Sequence, residues 1–285
     1  MKKLKRLLRR HWLAGVGIVI ILAVIALALL SPHLAPRSPL RQDIMVRLKP
    51  PGFVDPRSGQ TLWLGTDHLG RDVLSRIIYG SRISLIVSLS AVMASAAIGL
   101  TLGLLAGFYR GWIESVVMRL VDLQMAFPFI LLALSIVALL GPSLQNIIIV
   151  FAVTAWPVYS RTIRGMVLSF QEREFIQAAR ALGSSDLRVM FGHLLPNLVS
   201  PMLVLGSFEV ARMILLESAL SFLGLGVQPP TPTWGSMLAD GRDYIRDAWW
   251  IAAFPGLAIM ITAAGVNFLG DGLRDWFDPT LEHTR

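Results

Sequence analysis

Cysteine is absent from the chain, and lysine occurs only at positions 2, 3, 5 and 49. Without thiols there are no disulfide staples, thiolate nucleophiles, Fe–S clusters or cysteine zinc sites, whatever the redox compartment. Without a lysine beyond the first fifty residues there is no G-x-x-x-x-G-K-[ST] loop to cradle nucleotide phosphates. His11, His33, His68, His193 and His283 never fall at the i, i+4 spacing of a zinc helix, and no G-x-S-x-G nucleophile elbow occurs. Enzymatic catalysis therefore has no visible apparatus, no metal or catalytic site is expected, and any ATP-driven work must borrow its energy from another subunit. Charge is scarce as well, at 15% of the 285 residues, against about 25% in soluble domains. With 54% hydrophobic residues and a mean hydropathy of +0.63, an ordinary soluble globule is excluded. The net charge of +8 suggests nucleic acid only for a chain with surface to display it, and most of this surface should face lipid.

What is present is long apolar runs. A bilayer core of about 30 Å takes about 20 apolar helical residues, since unpaired backbone groups are too costly in hydrocarbon. Uncharged or nearly uncharged stretches at 12–30, 83–108, 123–140, 143–160, 198–225 and 249–270 predict six spans and an all-α membrane protein. The fifth is the least regular, because it holds Glu209, Arg212 and Glu217. Lys2, Lys3, Lys5, Arg6, Arg9 and Arg10 precede the first span, and the positive-inside bias then places the 1–11 tail and the 276–285 tail in the cytoplasm. A cleaved signal peptide is the competing reading of the start, with Ala26-Leu-Ala28 as its cleavage site, but the apolar run is long for an h-region.

Two outer and one inner connection carry the remaining information. The outer segment 31–82 is dense in proline and turn signals, so it reads as an irregular cap. Its end, with Val73, Leu74, Ile77 and Ile78 at helical spacing, reads as a short interfacial helix leading into the second span, with an ordinary extension of that span as the alternative. The second outer loop, 226–248, is stiffened by prolines and kept wet by mixed charges, which suits reception of a soluble partner.

The inner segment 161–197 is long and amphipathic. Phe175, Ala178, Ala179 and Leu182 form one stripe, and Gly183 can take the left-handed conformation that ends a helix. Ser184 or Ser185 can cap a second helix with Leu187, Met190, Phe191, Leu194 and Leu195 along one side, stopped by Pro196, which can serve as the first turn of the fifth span. This helix, glycine elbow, helix pattern fits a partner groove, or else a hairpin lying on anionic lipid through Arg173, Arg180 and Arg188.

Within the spans, Glu209, Arg212 and Glu217 are the candidate path residues, with Asp122 at the mouth of the third. Glu209 and Arg212 are spaced to pair on one helix face, which would neutralise them structurally, and Glu217 has no charged partner a turn away. Gly99, Gly103 and Gly107 offer a small-residue face for close helix approach, within this chain or to a second one. Pro128, Pro157, Pro201 and Pro255 are expected to kink spans.

Gln177-Ala178-Ala179, then Gly183, then Leu195-Pro196 resembles the cytoplasmic loop of binding-protein-dependent ABC importer permeases. Leu64-Gly-Thr-Asp-His-Leu-Gly-Arg-Asp-Val-Leu-Ser-Arg76, Ser221-Phe-Leu-Gly-Leu-Gly226, Pro229-Pro-Thr-Pro-Thr-Trp-Gly235 and Gly270-Asp-Gly-Leu-Arg-Asp275 resemble the dipeptide, oligopeptide and nickel branch, and its second permease subunits in particular. The resemblance implies a type I importer fold in the bacterial inner membrane. It further implies a homologous second permease, two ATP-binding subunits that hold ATP and Mg, and a periplasmic substrate-binding protein. It implies peptide as cargo, with nickel chelate, glutathione or an opine as alternatives. Two positions depart from that pattern: Gln177 stands where the family usually has Glu, and His193 where it has an aliphatic residue. Gln keeps an acceptor and a helix-friendly length, so docking would be retuned rather than lost. The rival from another class is a proton-coupled carrier using Glu209, Arg212 and Glu217 as its relay, and a non-transporting membrane scaffold is a third.

Overall fold

The computed structural model describes residues 12–277; the basic tail at 1–11 and most of the 276–285 tail lie outside the described residues. Among the described residues five helices are long and apolar enough to cross a membrane, and a sharply bent pair makes a sixth if taken as one span.

Helix α1 (Trp12–Leu29) is apolar on every side and mostly uncovered, as suits lipid. It packs along one line only, where Gly17 comes so close to the backbone of Gly265 and Leu269 that a methyl group would collide. After a single turn, α2 (Ser31–Leu34), the chain folds into a cap. The cap contains a 3-10 turn at Ile44–Val46 and a hairpin of β1 (Phe53–Val54) and β2 (Thr61–Leu62), antiparallel with Phe53 opposite Leu62.

The Asp72 carboxylate then accepts from the Ser75 amide at 2.8 Å and starts α3 (Val73–Tyr109). This helix runs unbroken for 37 residues, so the separate interfacial helix expected at 73–82 does not form and those residues extend the second span. Nothing in 73–82 interrupts the ladder, and Gly80, the one weak position, is pressed against the Trp234 ring.

The third span is not the straight helix expected at 123–140. Helix α4 (Gly111–Met125) and α5 (Phe129–Leu140) meet at 92°. Pro128 sits at the break, not inside a span: it lacks an N–H and disfavours the helical conformation at Phe127. The remaining helices are α6 (Leu144–Gln171), α7 (Glu174–Ala181), α8 (Asp186–Arg188), α9 (Leu195–Phe222), α10 (Trp234–Arg242) and α11 (Trp250–Phe277). Pro157, Pro201 and Pro255 lie inside α6, α9 and α11 as expected.

Packing places the two ends of the bundle. Gly99, Gly103 and Gly107 let α3 lie directly on α6, against Tyr159, Ser160, Ile163 and Val167, so this small-residue face is used within the chain. The main core joins α3, α5, α6 and α9 through Val87, Val137, Phe151, Tyr159 and Met213. At one end lies the cap, where the Trp250 indole donates to the Thr66 carbonyl at 3.0 Å. At the other, the Gln171 amide donates to the Gly107 carbonyl at 2.8 Å. Ala14 packs on Gly272 at this second end, so α1 begins and α11 finishes there.

Candidate functional site

The inner segment is shorter than 161–197, because α6 continues through Gln171. Arg161 and Arg164, read as the start of a loop, pair instead with Asp122 and Glu114 on α4, and the Arg164 Nε lies 2.7 Å from the Glu114 carboxylate. What remains is a hairpin. Helix α7 ends at Gly183, whose φ of +80° is the left-handed turn that only glycine takes without strain. The Gly183 and Ser184 amides donate to the Arg180 and Ala179 carbonyls at 2.9 and 3.0 Å, closing the elbow. Ser185 occupies the start of α8, although its hydroxyl makes no capping bond.

The second arm differs from expectation. Pro196 sits in the first turn of α9, as expected, but does not stop the arm: residues Val189–Leu194 form a π-helical segment that carries the chain straight into α9. A proline ring presses on the carbonyl four residues back, here Gly192, and the wider π turn makes room for it. The predicted apolar side also divides. Met190 and Leu194 are buried, whereas Leu187 and Phe191 are exposed.

On the first arm the inward residue is Ile176, which the sequence reading missed; the Phe175, Ala178, Leu182 side faces outward, with Leu182 87% exposed. Ile176, Met190 and Leu194 join Leu104, Phe108, Ile163, Val167 and Leu198 in one cluster, so the hairpin is rooted in α3, α6 and α9 together. Outside it presents Phe175, Leu182, Leu187 and Phe191 on both sides of the Gly183 elbow. Gln177 is exposed, its amide 3.2 Å from the Glu172 carbonyl, and the His193 carbonyl accepts from Asn197 at 2.7 Å.

The charged residues of α9 sit differently from one another. Arg212 Nη1 lies 3.2 and 3.3 Å from the two oxygens of Glu209, as the three-residue spacing implies. Glu209 is buried and Arg212 is open. Glu217 is fully enclosed and does not open onto a path in this conformation. One of its oxygens accepts from the Ser221 hydroxyl at 2.8 Å, and the other has no hydrogen-bond partner among the described residues.

The family-like outer motif forms a welded network that spacing alone did not reveal. Asp67 receives the Arg71 Nε at 2.6 Å and bonds Arg76, and Asp240 from the second outer loop lies 3.1 Å from Arg71 and 3.2 Å from Arg76. Burial works against the charge of Asp67, but Arg76, Arg71 and two backbone amides outweigh it and hold its carboxyl below the usual carboxylate range. The signal was present in the two loops' opposite charges, but no one-dimensional rule pairs residues 164 and 169 positions apart.

Comparison with known proteins agrees with this architecture. Residues 99–283 match the family described as "Binding-protein-dependent transport system inner membrane component", and residues 3–51 match the N-terminal TM domain of oligopeptide transport permease C. The chain is 45% identical over 267 residues to the di/tripeptide transport system permease protein DppC of Pseudomonas aeruginosa (strain UCBPP-PA14), covering 94% of this chain and 88% of that one. It is 44% identical to the dipeptide transport system permease protein DppC of Alkalihalophilus pseudofirmus, covering 96% and 88%. It is 41% identical to the glutathione transport system permease protein GsiD of Pectobacterium atrosepticum, covering 98% and 90%. A chain of the inward-facing MetNI methionine ABC transporter superposes with a TM-score of 0.62 at 19% identity, covering 72% of this chain and 98% of that one, which shows a shared fold.

Proposed function

The chain belongs to the family of binding-protein-dependent transport system inner membrane components, and from that premise we propose that it imports di- and oligopeptides as one of two paired permeases, driven by ATP. The relatives named for dipeptides, peptides and glutathione support this cargo class, because all three are amide-linked chains of amino acids. The partners are a homologous second permease, two ATP-binding subunits and a periplasmic substrate-binding protein. ATP and Mg belong to the ATP-binding subunits, since this chain has no P-loop lysine to hold a nucleotide.

The observation that carries the reading is the hairpin with two faces. Its outer residues, Phe175, Leu182, Leu187 and Phe191, have no cover among the described residues and suit a groove on an ATP-binding subunit. Its inner residues, Ile176, Met190 and Leu194, are fastened to three spans at once. A push on the outside therefore reaches α3, α6 and α9 as a rigid displacement, because packed cores switch between arrangements rather than yield continuously. Gln177, Ala178, Ala179, Gly183, Leu195 and Pro196 form the coupling loop in this reading: Gly183 turns the hairpin and Pro196 sits where its second arm enters α9.

The hairpin end is cytoplasmic, and with it both termini, as the basic residues before Trp12 favour. The cap and α10 then face the periplasm, where the binding protein delivers cargo. Arg212, with Glu209 behind it, lies on the path, and Glu217 joins it only when α9 parts from its neighbours. Co-expression with the other subunits and reconstitution into vesicles tests the proposal. Receptor- and ATP-dependent dipeptide uptake that survives an uncoupler is expected; uptake that collapses with the proton gradient while ATP is held constant would support the proton-coupled carrier instead.

A further inference from the structure

Arg212 stands near the middle of α9, where a cation facing hydrocarbon is strongly disfavoured. Its side chain is nevertheless 46% exposed, while that of Glu209 is 8% exposed. Arg212, Leu215 and Ala219, at helical spacing, are all uncovered, so one strip of α9 is open with the guanidinium in it. A single nitrogen, Nη1, serves both Glu209 oxygens. Nε and Nη2 make no hydrogen bond among the described residues, which leaves most of the donor fork unspent.

Behind this strip lies a second unspent donor. The Tyr159 hydroxyl is buried and has no hydrogen-bond partner among the described residues. It is 4.0 Å from the point that a Cβ on Gly206 would occupy, so the missing side chain of Gly206 leaves room beside it.

We propose that Arg212 receives the cargo's carboxylate during passage through the membrane. The charge a passing molecule can reach is positive, because the neutralising carboxylate is turned inward, and a guanidinium with a free edge matches a carboxylate through two hydrogen bonds. A linear peptide carries a terminal carboxylate whatever its side chains, so this contact recognises the class without choosing among sequences. Glu209 is a positioning residue that holds the guanidinium from behind. The inference rests on the reading of α9 as part of a peptide path.

The assembled transporter, purified without its receptor, is tested by saturation-transfer NMR with dialanine and with dialanine amide. Wild type is expected to favour the free acid by about tenfold or more, the effect of a charge-assisted hydrogen bond, E209Q to keep a reduced preference because the guanidinium is less firmly held, and R212Q to lose the preference. R212K, which keeps the charge, is expected to retain part of it. Where R212Q alone fails to insert, E209Q/R212Q removes both charges together and carries the same test.

Retained preference in R212Q or in the double variant overturns the inference. So does an E209Q variant that loses preference as fully as R212Q, since that marks a purely structural pair. Loss of the second permease from the R212Q preparation makes Arg212 an assembly contact and also overturns it. Failure of the import reading shows separately, as absence of dialanine uptake by the wild-type transporter supplied with receptor and ATP, whatever the NMR gives.

Discussion

Arg71 Nη2 lies 3.1 Å from Asp240 Oδ2, joining the cap before α3 to the helix α10 that follows α9. Asp67 stands behind this contact, 1% exposed, and bonds both Arg71 and Arg76. The cap and α10 therefore form one plate over the ends of α3 and α11, with Trp250 bonded into it through Thr66.

Replacing Asp67 by Asn should loosen that plate severely. It leaves two buried guanidiniums to share the partly exposed Asp240, and breaking a buried ion pair from one side typically costs about 3–5 kcal/mol. Asp240 is 29% exposed, so D240N should cost markedly less, because that carboxylate is partly solvated already and Asp67 still pairs both guanidiniums. Thermal unfolding of the purified chain measures the order of the two, and an equal loss would contradict the network.

The cap should also loosen in acid. The Asp55 carboxyl is held down to about 2 from 3.8 by the Ser58 hydroxyl, the Arg57 amide and Arg37, against its burial. A depressed value means that the charged form is favoured in the folded state, so this stabilisation is complete above about pH 4 and fades as pH falls toward 2. Hydrogen-exchange protection across residues 31–72, taken relative to the unfolded chain at the same pH, should fall over that window in the wild type. In D55N, which never carries the charge, protection should already be lower at neutral pH and change less on acidification.

Gly183→Val should abolish uptake while the protein still inserts. A β-branched residue at a φ of +80° is strained whatever the space around it, and no atom within 4 Å of the added Cβ would otherwise object. The elbow must then open, which moves α7 relative to α8. Membrane fractionation beside an uptake assay separates the two effects; normal uptake by the variant would remove the elbow from the mechanism.

Much of this fold was legible in one dimension, and the exceptions share a cause. Apolar length found the spans because hydrocarbon imposes it locally, residue by residue. The end of α6 was missed because Arg161 and Arg164 are matched by Asp122 and Glu114 on another helix, which the sequence places 39 and 50 positions away. Pro196 was read as a stop because the rule assumes an α-helical approach, and the π turn before it removes the clash. Spacing identified an amphipathic hairpin but could not tell which apolar side the chain keeps for itself. Ile176, between Phe175 and Gln177, is the buried one because it alone of the three meets the ends of α3 and α6.

That division gives the sharpest prediction for the hairpin, since Leu182 and Ile176 are both aliphatic, six residues apart on one segment, and opposite in exposure. Leu182→Ser removes apolar surface that no described residue covers, so thermal stability should change by less than about 0.5 kcal/mol, while co-purification of the ATP-binding subunits falls. Ile176→Ser leaves a cavity and an unpaired hydroxyl in the cluster beneath, a change that should cost about 2–5 kcal/mol. In I176S the outer residues remain but are no longer held against α3 and α6, so the subunits should still bind when the variant is kept cold, with ATP hydrolysis poorly linked to uptake. Melting temperature, subunit recovery and the ratio of peptide moved to ATP hydrolysed distinguish the two. If L182S melts early and keeps its partners, the hairpin's outer face serves this chain's own stability and the docking assignment fails.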